Sequence, residues 1–200
     1  MGRRTVTPPV DDASGGALRI ARFLPVSCAN GPGQRAVIWV QGCTLGCPGC
    51  FNPAMHDPQG GDLVPVEALL ARILAIGDAI EGVSFSGGEP LQQMAPLLAL
   101  LRSIRRGTGL SVLVFTGYTW EEIQALPDAA ALLCCVDVLI AGRYDAAQYL
   151  GQGMLGSTNQ TVHLLTSRYT MADIQAVPPA EVIITEDGDV IVSGVAPVRL

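Results

Sequence analysis

The chain has 200 residues, 49% apolar and 15% charged, a size that buries one real core and suits one domain. Eighteen acidic residues outnumber twelve cationic ones, all arginine, and the net charge of −6 leaves no basic stripe for a phosphate backbone, which argues against a nucleic-acid partner. Residues 1–16 carry arginines but no apolar run, so they read as a disordered tail without signal peptide or membrane anchor, preceding a single domain over 17–200 in a cytoplasmic protein.

From about residue 35 onward, apolar runs alternate with amphipathic ones, the pattern of strand and helix units in a mainly parallel sheet. Short apolar runs bounded by glycine or polar residues predict strands over 36–40, 82–85, 111–115, 136–140 and 161–165. Between them, Leu, Ile and Ala at helical spacing predict flanking helices over 65–76 and 91–106, and Thr119 with Glu122 has the form of a capping box. A short helix over 171–176 follows, and the runs 181–184 and 189–192, joined by Glu186-Asp187-Gly188, predict a β-hairpin within an extension over 178–200. About five parallel strands fall short of the eight in a closed (β/α)8 barrel, so the expected class is α/β, an incomplete βα barrel with a side opening.

Six cysteines in a reducing compartment point to metal or redox chemistry rather than disulfides. Three cluster in Cys43-Thr44-Leu45-Gly46-Cys47-Pro48-Gly49-Cys50, directly after the first predicted strand, where α/β folds place their chemistry. Gly42, Gly46 and Gly49 let the backbone curl so that three thiolates point inward. A [4Fe–4S] cube normally takes four thiolates, so three leave one iron open to an outside ligand. The alternative is a structural zinc site completed by His56, although C-x3-C-x2-C-x5-H lacks the paired halves usual for zinc. Outside that role His56 is a solvated loop residue. Cys28, Cys134 and Cys135 form no second cluster and read as small buried hydrophobes, with Cys28 just before the Asn30-Gly31-Pro32-Gly33 turn.

A second motif, Ser86-Gly87-Gly88-Glu89-Pro90, follows the strand at 82–85. Two glycines there expose backbone amides and carbonyls that a side chain would cover, which suits an ammonium ligand; the same residues also make a tight strand-to-helix turn capped by Glu89 and Pro90.

The pair of motifs resembles the radical S-adenosylmethionine (SAM) superfamily. Asn30-Gly31-Pro32-Gly33, Phe115-Thr116-Gly117-Tyr118-Thr119-Trp120, the segment 138–144 and Gly156-Ser157-Thr158-Asn159-Gln160 are further similar to the anaerobic ribonucleoside-triphosphate reductase activating proteins, over roughly residues 23–165. The resemblance implies a partial barrel of the radical SAM type with a [4Fe–4S] cluster on Cys43, Cys47 and Cys50. It further implies reductive cleavage of SAM to a 5′-deoxyadenosyl radical and formation of a glycyl radical on an anaerobic ribonucleotide reductase, with flavodoxin or ferredoxin as electron donor. No catalytic side chain is called for beyond the cluster and SAM.

By the same resemblance Gly87, Gly88 and Glu89 bind the SAM amine, and Gly49, Cys50 and Phe51 contact adenine, with the aromatic residue after the third cysteine rather than before it. Thr116 and Asn159, with Gln160, stand ready to hydrogen-bond SAM or an incoming glycine loop, or else cap and pin turns. Arg143 reads as a surface ion-pair partner and His163 as a structural histidine. Two rival readings stay in play. One is a radical SAM enzyme acting on a small molecule or peptide; the other is a non-catalytic zinc or iron–sulfur module, which leaves residues 87–90 unexplained.

Overall fold

The computed structural model describes residues 16–185 and 188–197. Residues 1–15 of the tail expected over 1–16 and the turn residues Glu186 and Asp187 lie outside the described residues. The centre of the fold is a parallel set: β2 (Arg35–Val40), β4 (Gly82–Gly87), β5 (Ser111–Thr116) and β6 (Val138–Ala141) pair in that order. Every residue of β2 and β6 is buried, as strands covered on both faces must be, and that is why they read as unbroken apolar runs. The helices α1 (Val66–Ile76) and α2 (Met94–Gly107) cover one face through Leu69, Ile73, Leu97, Leu100, Leu101 and Ile104, all essentially inaccessible to solvent. The expected helix over 91–106 is split, its first turn being a 3-10 turn at Pro90–Gln93 that opens behind the Glu89 cap. The shorter α3 (Trp120–Gln124) starts with the capping box foreseen at Thr119 and Glu122, and α4 (Ala129–Leu133) adds to the same face.

The sheet is wider than expected and its edges are antiparallel. It has seven strands in the order β3-β1-β2-β4-β5-β6-β9, with β1 (Ala17–Ser27) and β3 (Asp62–Pro65) at one side and β9 (Thr161–Leu164) at the other. The run at 161–165 was expected to be parallel; it pairs antiparallel with β6. The chain between them forms no crossover α-helix, but a 3-10 turn at Ala146–Gln148 and the small antiparallel pair β7 (Tyr149–Gln152) and β8 (Leu155–Ser157), and without a crossover the next strand returns in the opposite direction. The long strand β1 escaped the sequence pattern for a different reason. A bulge between Ile20 and Arg22 puts Leu18 and Ile20 on the helix-covered face but Leu24 on the opposite one, so its alternation changes phase midway.

That opposite face is covered by the end of the chain. The short helix α5 (Met171–Gln175) buries Ile174 against Leu113, Val138, Ile140 and Met154. Next to it, β10 (Ala180–Ile184) pairs antiparallel with β11 (Val190–Gly194), and Ile183 and Ile191 pack on Leu24, Val37 and Trp39. Between this cover and the sheet lies a cavity of about 410 Å3 that reaches up to the cysteine loop.

Candidate active site

The cysteine loop leaves the end of β2 and is fastened at its base. Gly42 N donates to Met55 O (2.9 Å) and Cys43 N to His56 O (3.1 Å), closing residues 43–56 into a bounded loop. Gly46 and Gly49 sit at positive φ, 64° and 71°, where a side chain would strain the turn that brings Cys50 N onto Cys47 O (3.2 Å). Cys43, Cys47 and Cys50 all line the cavity. Burial pushes the Cys43 and Cys47 thiols above their ordinary range, so loading a metal there must release protons.

The second motif is stapled to the first. At the end of β4, Gly88 N donates to Val40 O (2.8 Å) and Glu89 N to Gly42 O (2.9 Å). A Cβ on Gly87 would lie 2.6 Å from Val40 O, and one on Gly88 would collide with Gly42 O. This corrects the expectation of free amides: the glycines are there so that two loops meet backbone to backbone, and the amides of Gly88 and Glu89 are spent in doing so. Gln92 adds a second tie, accepting from Thr44 N (3.1 Å) and donating to Thr44 Oγ1 (2.8 Å).

Glu89 is 1% exposed and links three segments. Its Oε1 accepts from Leu91 N (2.9 Å) and Thr116 Oγ1 (2.8 Å), and its Oε2 from Gly117 N (2.8 Å). Burial raises its pKa from 4.5 to about 7 despite these donors and the nearby Arg143 guanidinium. Thr116 is thereby committed to Glu89, though it still borders the cavity.

Among the other expected residues, Gly87, Gly88 and Phe51 line the cavity, while Gly49 and Asn159 do not. Asn159 instead donates to Arg143 O (2.8 Å) on the surface. Its neighbour Gln160 does border the cavity, accepting from Gly156 N and donating to Gly142 O (3.0 Å). Phe51 is 47% exposed rather than a core residue and lies against Tyr144, ring centroids 4.2 Å apart. Arg143 pairs with Glu122 at 2.7 Å, and His163 is hydrogen-bonded to Thr161 (2.8 Å) and stacked on Trp120 at 4.1 Å. Of the remaining cysteines, Cys135 is buried, but Cys28 and Cys134 are exposed, against expectation.

His56 is a correction too. It is no solvated loop residue: it lines the cavity, and its Nε2 is buried without a hydrogen-bond partner. Tyr144, Asn52 and Trp39 are cavity residues that sequence reasoning missed. Only Tyr144 had a signal, its position at the end of a predicted strand-end segment.

Comparison with known proteins fits this geometry. The family model described as a 4Fe-4S single cluster domain matches residues 29–163. The anaerobic ribonucleoside-triphosphate reductase-activating protein of Salmonella typhi is 34% identical over 157 residues, spanning 74% of this chain and 99% of the relative. The chain belongs to that family of activating proteins. Other members include the Escherichia coli K12 protein, 34% identical over 72% of this chain and 97% of its own length, and that of Enterobacteria phage T4, 29% identical over 70% and 89%. A solved structure, QueE from Escherichia coli, aligns with 52% of this chain and 54% of its own at 21% identity and a TM-score of 0.43, too loose a likeness to carry inference. The cofactors that membership implies are a [4Fe–4S] cluster and SAM.

The residues present fit those groups. Three soft thiolates border one cavity, as a cube with one open iron requires. The partnerless His56 Nε2 supplies a polar contact for a bound ligand beside them. Among the described residues, no helix is long and apolar enough to cross a membrane.

Proposed function

We propose that this protein cleaves SAM reductively and uses the resulting radical to install a glycyl radical on an anaerobic ribonucleoside-triphosphate reductase. The observation that carries the reading is the staple between the cysteine loop and the Gly87-Gly88-Glu89 segment, which sets three thiols and a buried carboxylate on one cavity. Cys43, Cys47 and Cys50, which line the cavity, would hold the cluster through three thiolates and so leave it open to SAM. When bound, the cluster and SAM would supply the one-electron reduction and the carbon radical needed for hydrogen-atom transfer from a backbone glycine.

The protein's own residues bind and orient. Glu89 Oε2 accepts a single hydrogen bond, so it keeps acceptor capacity for the N–H groups of the SAM amine. Thr116 and Gly117 hold the carboxylate in position. Phe51 and Tyr144 offer an aromatic face to adenine beside Cys50, while Gln160, rather than Asn159, presents a side chain to the cavity. No general acid or base is needed for hydrogen-atom transfer. A reduced flavodoxin or ferredoxin would supply the electron, and residues 17–200 would act as one domain.

The test is anaerobic reconstitution. Brown protein should form 5′-deoxyadenosine from SAM with dithionite and, given the reductase from the same genome, a glycyl-radical EPR signal. A colourless zinc protein that leaves SAM intact refutes the reading. Robust 5′-deoxyadenosine formation without radical on the reductase would shift it to a small-molecule or peptide substrate.

A further inference from the structure

The bulge in β1 decides where one arginine points. Leu18 and Ile20 lie on the helix-covered face, and simple alternation would carry Arg22 to the same side. The irregularity between Ile20 and Arg22 shifts the phase by one residue, so Arg22 stands opposite Trp39 on the cavity face. It is exposed, lines the cavity and, among the described residues, has no hydrogen-bond or ion-pair partner. Arg22 also lies outside residues 29–163, the span of the family model, and none of the cofactor contacts above falls to it.

A second unused group stands on the same side. His56 Nε2 is buried in the cavity lining without a partner, and His56 is tied through its carbonyl to Cys43 N just beyond β2. Met55, the residue before it, packs on the cluster of Leu24, Val37 and Trp39, beside which Arg22 is paired. Glu89, by contrast, is fastened to Thr116 at the end of β5, with β2 and β4 lying between that strand and β1. The cavity is therefore polarised across the sheet. Among the described residues lining it, Glu89 is the one carboxyl and Arg22 the one arginine, in a chain that has no lysine. A guanidinium presents a planar fork that matches both oxygens of a carboxylate, and an imidazole in its Nε2–H tautomer adds a further donor.

We propose that Arg22 and His56 form a carboxylate-binding subsite on the β1–β2 side of the cavity. The inference rests on the reading that the cavity takes SAM and a protein radical acceptor. Either reactant can bring the carboxylate, SAM on its methionyl head and the acceptor on an acidic side chain near its glycine. A carboxylate entering beside three thiolates and Glu89 is repelled by each of them, and Arg22 is the cation placed to offset that repulsion.

The test compares the full chain, cluster-loaded under anaerobic conditions, with Arg22→Gln, Arg22→Lys and His56→Phe. Two dissociation constants are measured: that of SAM by equilibrium dialysis, with decarboxylated SAM as control, and that of the reductase from the same genome by fluorescence anisotropy. Arg22→Gln should raise one of the two about tenfold or more, as expected when a charge-assisted fork is lost. Arg22→Lys should recover part of it, because the charge stays while the fork does not. His56→Phe should raise the same constant by a smaller factor, and no rise removes His56 from the subsite. A rise for SAM but not for decarboxylated SAM assigns the methionyl carboxylate as occupant; a rise for the reductase alone assigns an acidic side chain of the acceptor. Unchanged constants for both ligands in Arg22→Gln overturn the subsite and leave the activase reading standing. Equal weakening of SAM and decarboxylated SAM overturns it as well, since the guanidinium would then support the shape of the cavity rather than a carboxylate. A wild type that binds both ligands yet forms neither 5′-deoxyadenosine nor glycyl radical overturns the activase reading, while the subsite is still decided by the affinities of Arg22→Gln.

Discussion

The parallel strands carry a buried charge at each end, and the two are built differently. At their starts, Arg35 is wholly inaccessible and surrounded by neutral partners: it donates to Ser84 Oγ (2.7 Å), Ser111 Oγ (2.8 Å), Tyr169 Oη (3.2 Å), Pro32 O (3.2 Å), Val83 O (3.0 Å) and Ser111 O (3.3 Å). At their ends, Glu89 is equally buried but borders a cavity and keeps acceptor capacity. A buried ion with every donor satisfied locks strands together, whereas one left open beside a cavity waits for a ligand. The difference separates scaffold from site along the same strands.

The sharpest way to break this division is to remove a thiol. Cys47→Ser should abolish the brown chromophore and all 5′-deoxyadenosine formation while leaving the apo protein folded, because Cys47 belongs to none of the buried apolar clusters that hold the sheet. Visible absorbance and circular dichroism after reconstitution check both halves. A variant that loses secondary structure would make the loop part of the scaffold.

Arg35→Met tests the opposite end and should act on stability. It leaves Ser84, Ser111, Tyr169 and three carbonyls without this donor, and a buried polar group left unsatisfied costs about 1–3 kcal/mol, offset in part because the guanidinium no longer has to be desolvated. Urea denaturation of the apo protein measures it. Losses below about 1 kcal/mol would mean that water replaces the guanidinium and the end is not closed.

Glu89→Gln sharpens the comparison through pH. In the folded apo protein the carboxyl titrates near 7 instead of 4.5 because it is buried, so folding binds a proton between those values. Stability from this group is full below pH 4.5 and falls as pH rises through about 7, by up to about 3 kcal/mol. Thermal melts of the apo protein at pH 5 and pH 8 should therefore show a larger drop for wild type than for the variant. Equal drops would remove the raised pKa. SAM bound at the same place should flatten the wild-type slope, since the N–H groups of its amine favour the carboxylate.

What could be read from the chain follows the same division. The parallel strands declared themselves as apolar runs because both their faces are covered, and the two loops at their ends declared themselves by cysteine and glycine spacing. The edges did not: the bulge in β1 shifts its alternation between faces, and the direction of β9 depends on a missing crossover helix that composition does not mark. Within the site, residue types were legible but contacts were not. Gly87 and Gly88 proved to serve the approach of two backbones, and the unpaired nitrogen of His56 depends on the Cys43 amide fixing residue 56 against the loop. Asn159 and Gln160 are adjacent and chemically alike, and only the turn geometry decides that Gln160 faces the cavity.

The smallest expected effect lies at the surface ion pair beside the site. Arg143 meets Glu122 through both its terminal nitrogens, at 2.7 and 3.1 Å, with the two side chains 39% and 40% exposed. Water screens such a pair, so Arg143→Gln should cost less than about 1 kcal/mol. Glu122→Ala should cost more than Arg143→Gln, because Glu122 also accepts from Thr119 N (2.8 Å) in the capping box of α3, and loss of a cap adds about 1 kcal/mol. A double-mutant cycle on apo stability separates pair from cap. If the two single substitutions cost the same, the cap contributes nothing and the pair carries α3; if Arg143→Gln also abolishes SAM cleavage, the guanidinium belongs to the cavity rather than to the surface.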